Sequence, residues 1–97
     1  MNDNGVQQPV YIIVGQVWQQ KGGEAERVHV LLTAADDDTA VRKSLEALAS
    51  EGYVEADLDQ IGEITDMPDE EPHASAYQGA LEGEVAIVTL GSPDIEL

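Results

Sequence analysis

The fold is decided by the stretch VYIIV at residues 10–14, which Val17 and Trp18 continue beyond Gly15. β-Branched and aromatic residues favour extended backbone, so this segment predicts a strand. Its apolar residues run together instead of alternating with polar ones, which is typical of a central strand covered on both faces. A glycine inside such a strand indicates a bulge or the close approach of another backbone.

A second strand follows after a short turn that contains Gly22 and Gly23. Val28, Val30 and Leu32 alternate with other residues and predict a strand of roughly seven residues. A connection this short favours an antiparallel hairpin.

An amphipathic helix is predicted over about residues 38–51. Val41, Leu45 and Leu48 form an apolar stripe at helical spacing. We expect one aspartate of the Asp-Asp-Asp run before this helix to cap its N-terminus, and Gly52 stands where a glycine commonly ends a helix.

Three further elements complete the predicted domain. A third extended segment covers residues 53–64, and its apolar residues change parity near Asp59 and Gln60, which indicates a bend or bulge there. A short helix is expected to start at Pro72, because proline is favoured at the first helical position. A final strand is predicted over residues 85–90.

These elements define an α/β (α+β) domain with the order β-β-α-β-α-β. Strands joined through helices suggest partly parallel pairing and right-handed crossovers. We therefore predict a mixed four-stranded sheet with both helices on one face, the other face being open or covered by a second copy. Residues 9–90 are assigned to this single domain, residues 1–8 to a disordered leader and residues 91–97 to a flexible tail.

Acidic residues dominate the composition. Twenty Asp and Glu stand against four Lys and Arg, which gives a formal net charge of −16. Direct binding to nucleic acid requires clustered cations and is not expected. A basic protein is the favoured partner, because a surface of one sign attracts the opposite sign. The alternative is that the acidity only keeps the protein soluble.

The chain contains no cysteine, which excludes disulfides and thiolate metal sites. Residues 1–8 lack the basic start and apolar stretch of a signal peptide, and no apolar run is long enough to span a membrane. We therefore expect a cytoplasmic protein that does not contact membranes.

Metal binding is not predicted. A calcium-loop pattern that starts at Asp57 fails because Ile61 and Pro68 occupy two of the ligand positions.

Catalysis is not predicted either. His29 lies within a predicted strand, and His73 lies two residues from Ser75 in a predicted helix, where side chains two apart do not face each other. No glycine-rich phosphate loop is present. We expect neither an enzyme nor a cofactor. Trp18 is expected in the core, with an exposed interface position as the alternative.

The remaining hypothesis is a small non-catalytic binding module, an inhibitor or nucleic-acid mimic that engages a basic protein surface. In charge and size the chain resembles phage-type nucleic-acid mimics, a likeness of composition that assigns no residue. The alternative is a self-associating structural or regulatory domain, for example a homodimer. The carboxylates predicted to contact a partner lie on the third extended segment and in the loop after it: Glu55, Asp57, Asp59, Glu63, Asp66, Asp69, Glu70 and Glu71.

Overall fold

A computed structural model of the protein describes residues 8–91, which hold four strands and two helices in the predicted order β-β-α-β-α-β. The elements are β1 Val10–Trp18, β2 Ala25–Thr33, α1 Asp37–Ser50, β3 Glu55–Ile64, α2 His73–Leu81 and β4 Ala86–Gly91. The predicted leader and tail fall outside the described residues, except for Gln8 and Gly91, and Gly91 is the last residue of β4.

The four strands form one sheet in the order β3-β1-β2-β4. β1 is central as predicted, and its Ile12 is paired with Leu31 of β2 and with Gly62 of β3. All three pairings are antiparallel, so the prediction of a mixed sheet with parallel pairs is wrong. β2 and β3 do run in the same direction, but β1 lies between them and they share no hydrogen bonds.

The two helices pack on opposite faces of the sheet, so the prediction of one shared face is also wrong. The α1 residue Leu48 packs with Val30 of β2, whereas the α2 residue Ala80 packs with Leu31, which points the other way. The preference for right-handed crossovers applies only to connections between parallel strands. It constrains α1, which joins β2 to β3, but not α2, which joins strands that run in opposite directions.

The core consists of two layers of unequal size, which we call the α1 layer and the α2 layer. The buried residues of the α1 layer are Tyr11, Ile13, Val17, Val28, Val30, Leu32, Ala34, Ala40 and Leu48. The buried residues of the α2 layer are Val10, Leu31, Ala76, Ala80 and Val88.

Both ends of α1 follow the sequence prediction. The Asp36 side chain accepts a hydrogen bond from the Thr39 backbone N–H at 2.8 Å. Hydrogen bonds from the backbone and the side chain of Thr39 lower the pKa of Asp36. Gly52 follows the helix with φ of +100°, a left-handed conformation that glycine adopts without strain.

The face that α1 buries differs from the predicted stripe. Its fully buried residues are Ala40, Ser44 and Leu48, whereas Val41 is half-buried and Leu45 is 42% exposed. The small residues Ala40 and Ser44 therefore face the sheet, while the larger Val41 and Leu45 lie toward β3 at its edge.

A β-bulge interrupts β3 where the sequence predicts a bend. Leu58 is paired with Gly15 and Gln60 with Val14, so Asp59 has no partner on β1. A Cβ atom on Gly15 would lie 2.8 Å from the Leu58 Cα, closer than real Cβ atoms come. The predicted bulge and the predicted close approach at Gly15 are both confirmed. They occur at the same place, because Gly15 pairs with the residue that precedes the bulged Asp59.

Neither helix within residues 8–91 combines the length and the apolar character that a membrane crossing requires.

Candidate binding surface

The predicted carboxylates on β3 lie along an outer edge of the sheet. β3 is an edge strand, and Glu55, Asp57, Asp59 and Glu63 are all exposed. The register places Glu55 and Asp57 on the face that carries α2, and Glu63, which is paired with Tyr11, on the face that carries α1. Asp59 is the bulged residue. The strand therefore presents negative charge toward both faces and along its edge.

The loop that follows β3 continues this edge with more carboxylates. Asp66, Asp69 and Glu70 are exposed. Glu71 is exposed as well, but its Oε1 atom accepts a hydrogen bond from the Ser75 backbone N–H at 3.0 Å. Glu71 therefore stabilises the first turn of α2, in addition to its predicted role in partner binding.

Cations are confined to the other half of the chain. No Lys or Arg follows Lys43, and Arg42 is the residue before it. Within residues 8–91, the only ion pair joins Arg42 to Asp38 at 3.3 Å. The Lys43 ammonium group donates to the Thr33 carbonyl oxygen at 3.2 Å. In the described part of the chain, the carboxylates of β3 and its loop thus lack a paired cation.

The structure brings together two histidines that the sequence treats separately. His29 Nδ1 and His73 Nε2 lie 2.8 Å apart, and the two ring planes meet at 61°. Burial, followed by the proximity of His73 and Arg27, lowers the pKa of His29. The hydrogen bond ties the first residue of α2 to the sheet. Because 44 positions separate the two residues, no local pattern could reveal this pair.

The His73 side chain lies between His29 and an acidic loop. Its Nε2 atom is engaged by His29, and the loop residues Asp69, Glu70 and Glu71 line a cleft beside it. Residues 8–91 bring no group of three or more His, Asp or Glu side chains together in an arrangement that could hold a metal ion.

Trp18 differs from the core position expected for it. It is half-buried at the end of β1 and lies beside Glu55 in the register of β3. It is not among the buried residues of either layer. Its position beside the carboxylate row makes it part of the same surface.

No family model, curated protein or solved structure is significantly similar to this chain. The charge and the geometry of its surface are the features that bear on its function.

Proposed function

We propose that the protein is a small non-catalytic binding module that engages a basic protein surface through the carboxylates of β3 and the loop after it. The observation that carries this proposal is the segregation of charge: the whole chain after Lys43 is without Lys or Arg, and an exposed edge of that half is lined with acids.

Geometry supports the proposal, because the carboxylates are held on a strand. β3 has ten residues and is about 33 Å long at a rise of roughly 3.3 Å per residue. Alternate side chains such as Glu55 and Asp57 are therefore about 6.6 Å apart. A fixed row of like charges attracts a cationic surface at long range and increases the association rate.

The spacing of the carboxylates on β3 can be compared with the spacing of phosphates along a DNA strand. One strand of DNA carries a charge per about 3.4 Å of helix axis. The β3 row has about half that density, so it does not reproduce a phosphate backbone atom by atom. An inhibitor of this kind competes for the cations of a nucleic-acid-binding protein through the negative electrostatic potential of its carboxylates, which the β3 edge of the sheet holds in place.

A matched pair of variants tests whether these positions matter. One variant neutralises the strand (Glu55→Gln, Asp57→Asn and Glu63→Gln), and the other removes three exposed charges elsewhere (Glu46→Gln, Glu82→Gln and Glu84→Gln). Both have the same net charge. The probe is a fluorescent peptide of Lys and Ser, titrated by anisotropy at about 50 and 300 mM salt, a range over which screening weakens exposed ion pairs.

We expect the wild type to bind at low salt and to lose most of this binding at high salt. The β3 variant should bind at least about threefold more weakly than its matched control, because it removes three of the four carboxylates of β3 while the total charge of the two variants is equal. Equal weakening of both variants would show that only the diffuse charge matters, and the solubility alternative would then be favoured.

Self-association remains the second candidate function, and one feature favours it. On the face that carries α2, Val14, Gln16 and Trp18 are only half-buried, so this helix leaves part of that face accessible. Light scattering over a range of protein concentrations tests for a dimer, and a salt-independent dimer that Trp18→Ala disrupts would support this candidate.

A further inference from the structure

An apolar groove lies between α1 and β3, on the face of the sheet that α1 covers. It consists of two successive clefts of about 150 and 170 Å³. Val41, Leu58 and Ile61 line the first cleft, and Leu45 and Val54 line the second. Val41 and Leu45 are one helical turn apart, so the clefts follow each other along α1. We call this surface the α1/β3 groove.

The groove gathers exposed apolar side chains. Leu45 is 42% exposed, Val54 61% and Ile61 37%, and they are three of the six large hydrophobic residues exposed within residues 8–91. Single exposed apolar residues are normal on a protein surface, whereas a cluster of them indicates an interaction site.

The groove exists because of the way α1 sits on the sheet. The helix packs through Ala40 and Ser44, so the stripe formed by Val41 and Leu45 is turned toward β3. β3 is the outermost strand on this side, and no further strand follows it in the sheet.

The rim of the groove on the β3 side is negatively charged. Asp59 lines the first cleft. Glu55 borders the second cleft by its position in the chain, but the register directs its side chain to the other face of the sheet. Glu63 lies two residues beyond Ile61 and points to the same face as Ile61. On the α1 side the charge of Arg42 is offset by its ion pair with Asp38.

We infer that the α1/β3 groove is a docking site for a basic segment of a partner protein, whose apolar side chains fill the two clefts while neighbouring Lys and Arg meet the rim. This inference rests on the proposed function and adds the contact that gives it specificity. Buried apolar anchors supply affinity that salt does not screen, while the charges steer the encounter.

Charge favours this occupant over the two others that the chain itself offers. A second copy would bring its own acidic rim against this one, and each copy has a formal net charge of −16. Residues 92–97 contain Asp94 and Glu96, which have the same sign as the rim.

Two fluorescent peptides of equal charge test the groove. The first contains Lys with Leu at helical spacing, and the second has Ser in place of every Leu. Binding is measured by anisotropy to the wild type, to the double variant Leu45→Ser/Ile61→Ser, and to the control Leu81→Ser. Leu81 is an exposed leucine at the end of α2, outside the groove. Because all three substituted side chains are exposed, the variants should fold, which their urea midpoints verify.

We expect the wild type to bind the Lys/Leu peptide at least about tenfold more tightly than the Lys/Ser peptide, which corresponds to about 1.4 kcal/mol. The double variant should lose this difference and still bind the Lys/Ser peptide as the wild type does. Leu81→Ser should change neither affinity.

Three results would overturn the inference. The first is equal affinity of the wild type for the two peptides, and the second is undiminished Lys/Leu binding by the double variant. In both cases, salt-sensitive binding of the Lys/Ser peptide would still support the proposed function. A wild-type dimer that the double variant converts to monomer would assign the groove to a second copy. Absence of any Lys/Ser binding by the wild type contradicts the proposed function itself.

Discussion

The two layers of the core hold their helices in different ways. α1 has 14 residues and lies on a broad layer of large side chains, with Leu48 fully buried. α2 has nine residues and buries only Ala76 and Ala80, and a histidine pair fixes its first turn. The α1 layer therefore buries more apolar volume, whereas α2 buries only small side chains and is held in addition by one polar contact with the sheet.

The largest expected effect comes from removing volume on the α1 side. Leu48→Ala should lower the free energy of unfolding by about 3 kcal/mol, because it deletes a fully buried side chain and leaves a cavity. Ala80→Gly should cost less, about 1.5 kcal/mol, through helix propensity and the loss of one buried methyl group. Urea unfolding curves measure both values. A cost for Ala80→Gly as large as that for Leu48→Ala would contradict the difference between the layers.

A smaller effect, of opposite sign, is expected at Ser44. Its side chain is fully buried, and its Oγ atom has no hydrogen-bond partner among the described residues. Ser44→Ala removes this unsatisfied hydroxyl and improves helix propensity, so we expect a gain of about 1 kcal/mol. Ser50→Ala, at the exposed end of the same helix, serves as a control that should bring only the small gain from helix propensity. A loss of stability in Ser44→Ala would show that the hydroxyl has a partner in solution.

The smallest effect is the pH dependence of the α2 layer. Because the pKa of His29 is lowered in the folded state, the unfolded chain takes up the proton first as the pH falls below about 6.5. The free energy of unfolding should therefore decrease as the pH falls below about 6.5 and be unaffected by this group well above that pH.

The variant His29→Gln isolates this contribution, since glutamine can still hydrogen-bond to His73 but does not titrate. Urea unfolding at several pH values should give a flatter profile for the variant than for the wild type. The groups nearest the pair are Arg27 on the same strand face and the loop residues Asp69, Glu70 and Glu71, all of which the variant retains. Parallel profiles would exclude the histidine pair as a source of pH dependence.

Much of the fold could be predicted from local signals. The run at residues 10–14 identified the central strand, and the aspartates and Gly52 identified the ends of α1. Gly15 and the parity change near Asp59 both indicated the bulge. In each case the physical cause lies within a few residues of the signal.

The errors came from long-range geometry. Local sequence does not show that β1 lies between β2 and β3. These two strands run in the same direction, as predicted, but they are not neighbours and form no parallel pair. Val41 and Leu45 have the larger apolar side chains, but the small residues Ala40 and Ser44 are the ones that α1 buries together with Leu48. The α1/β3 groove follows from this orientation of α1 and was not predicted for the same reason.

The exposure of the candidate carboxylates could be predicted from sequence, but their location at the edge of the sheet could not. Alternation along residues 55–64 predicts which side chains are exposed, and no cation interrupts them. That this strand lies at the edge of the sheet depends on its pairing with β1 alone, which local sequence does not encode.

The bulge at Asp59 also affects how the protein behaves at high concentration. An outer strand with free backbone groups is a template for fibril growth, and a bulge together with charged side chains prevents neighbouring molecules from adding to it. Replacing these carboxylates with amides removes the electrostatic part of this protection and leaves only the irregular backbone to oppose polymerisation.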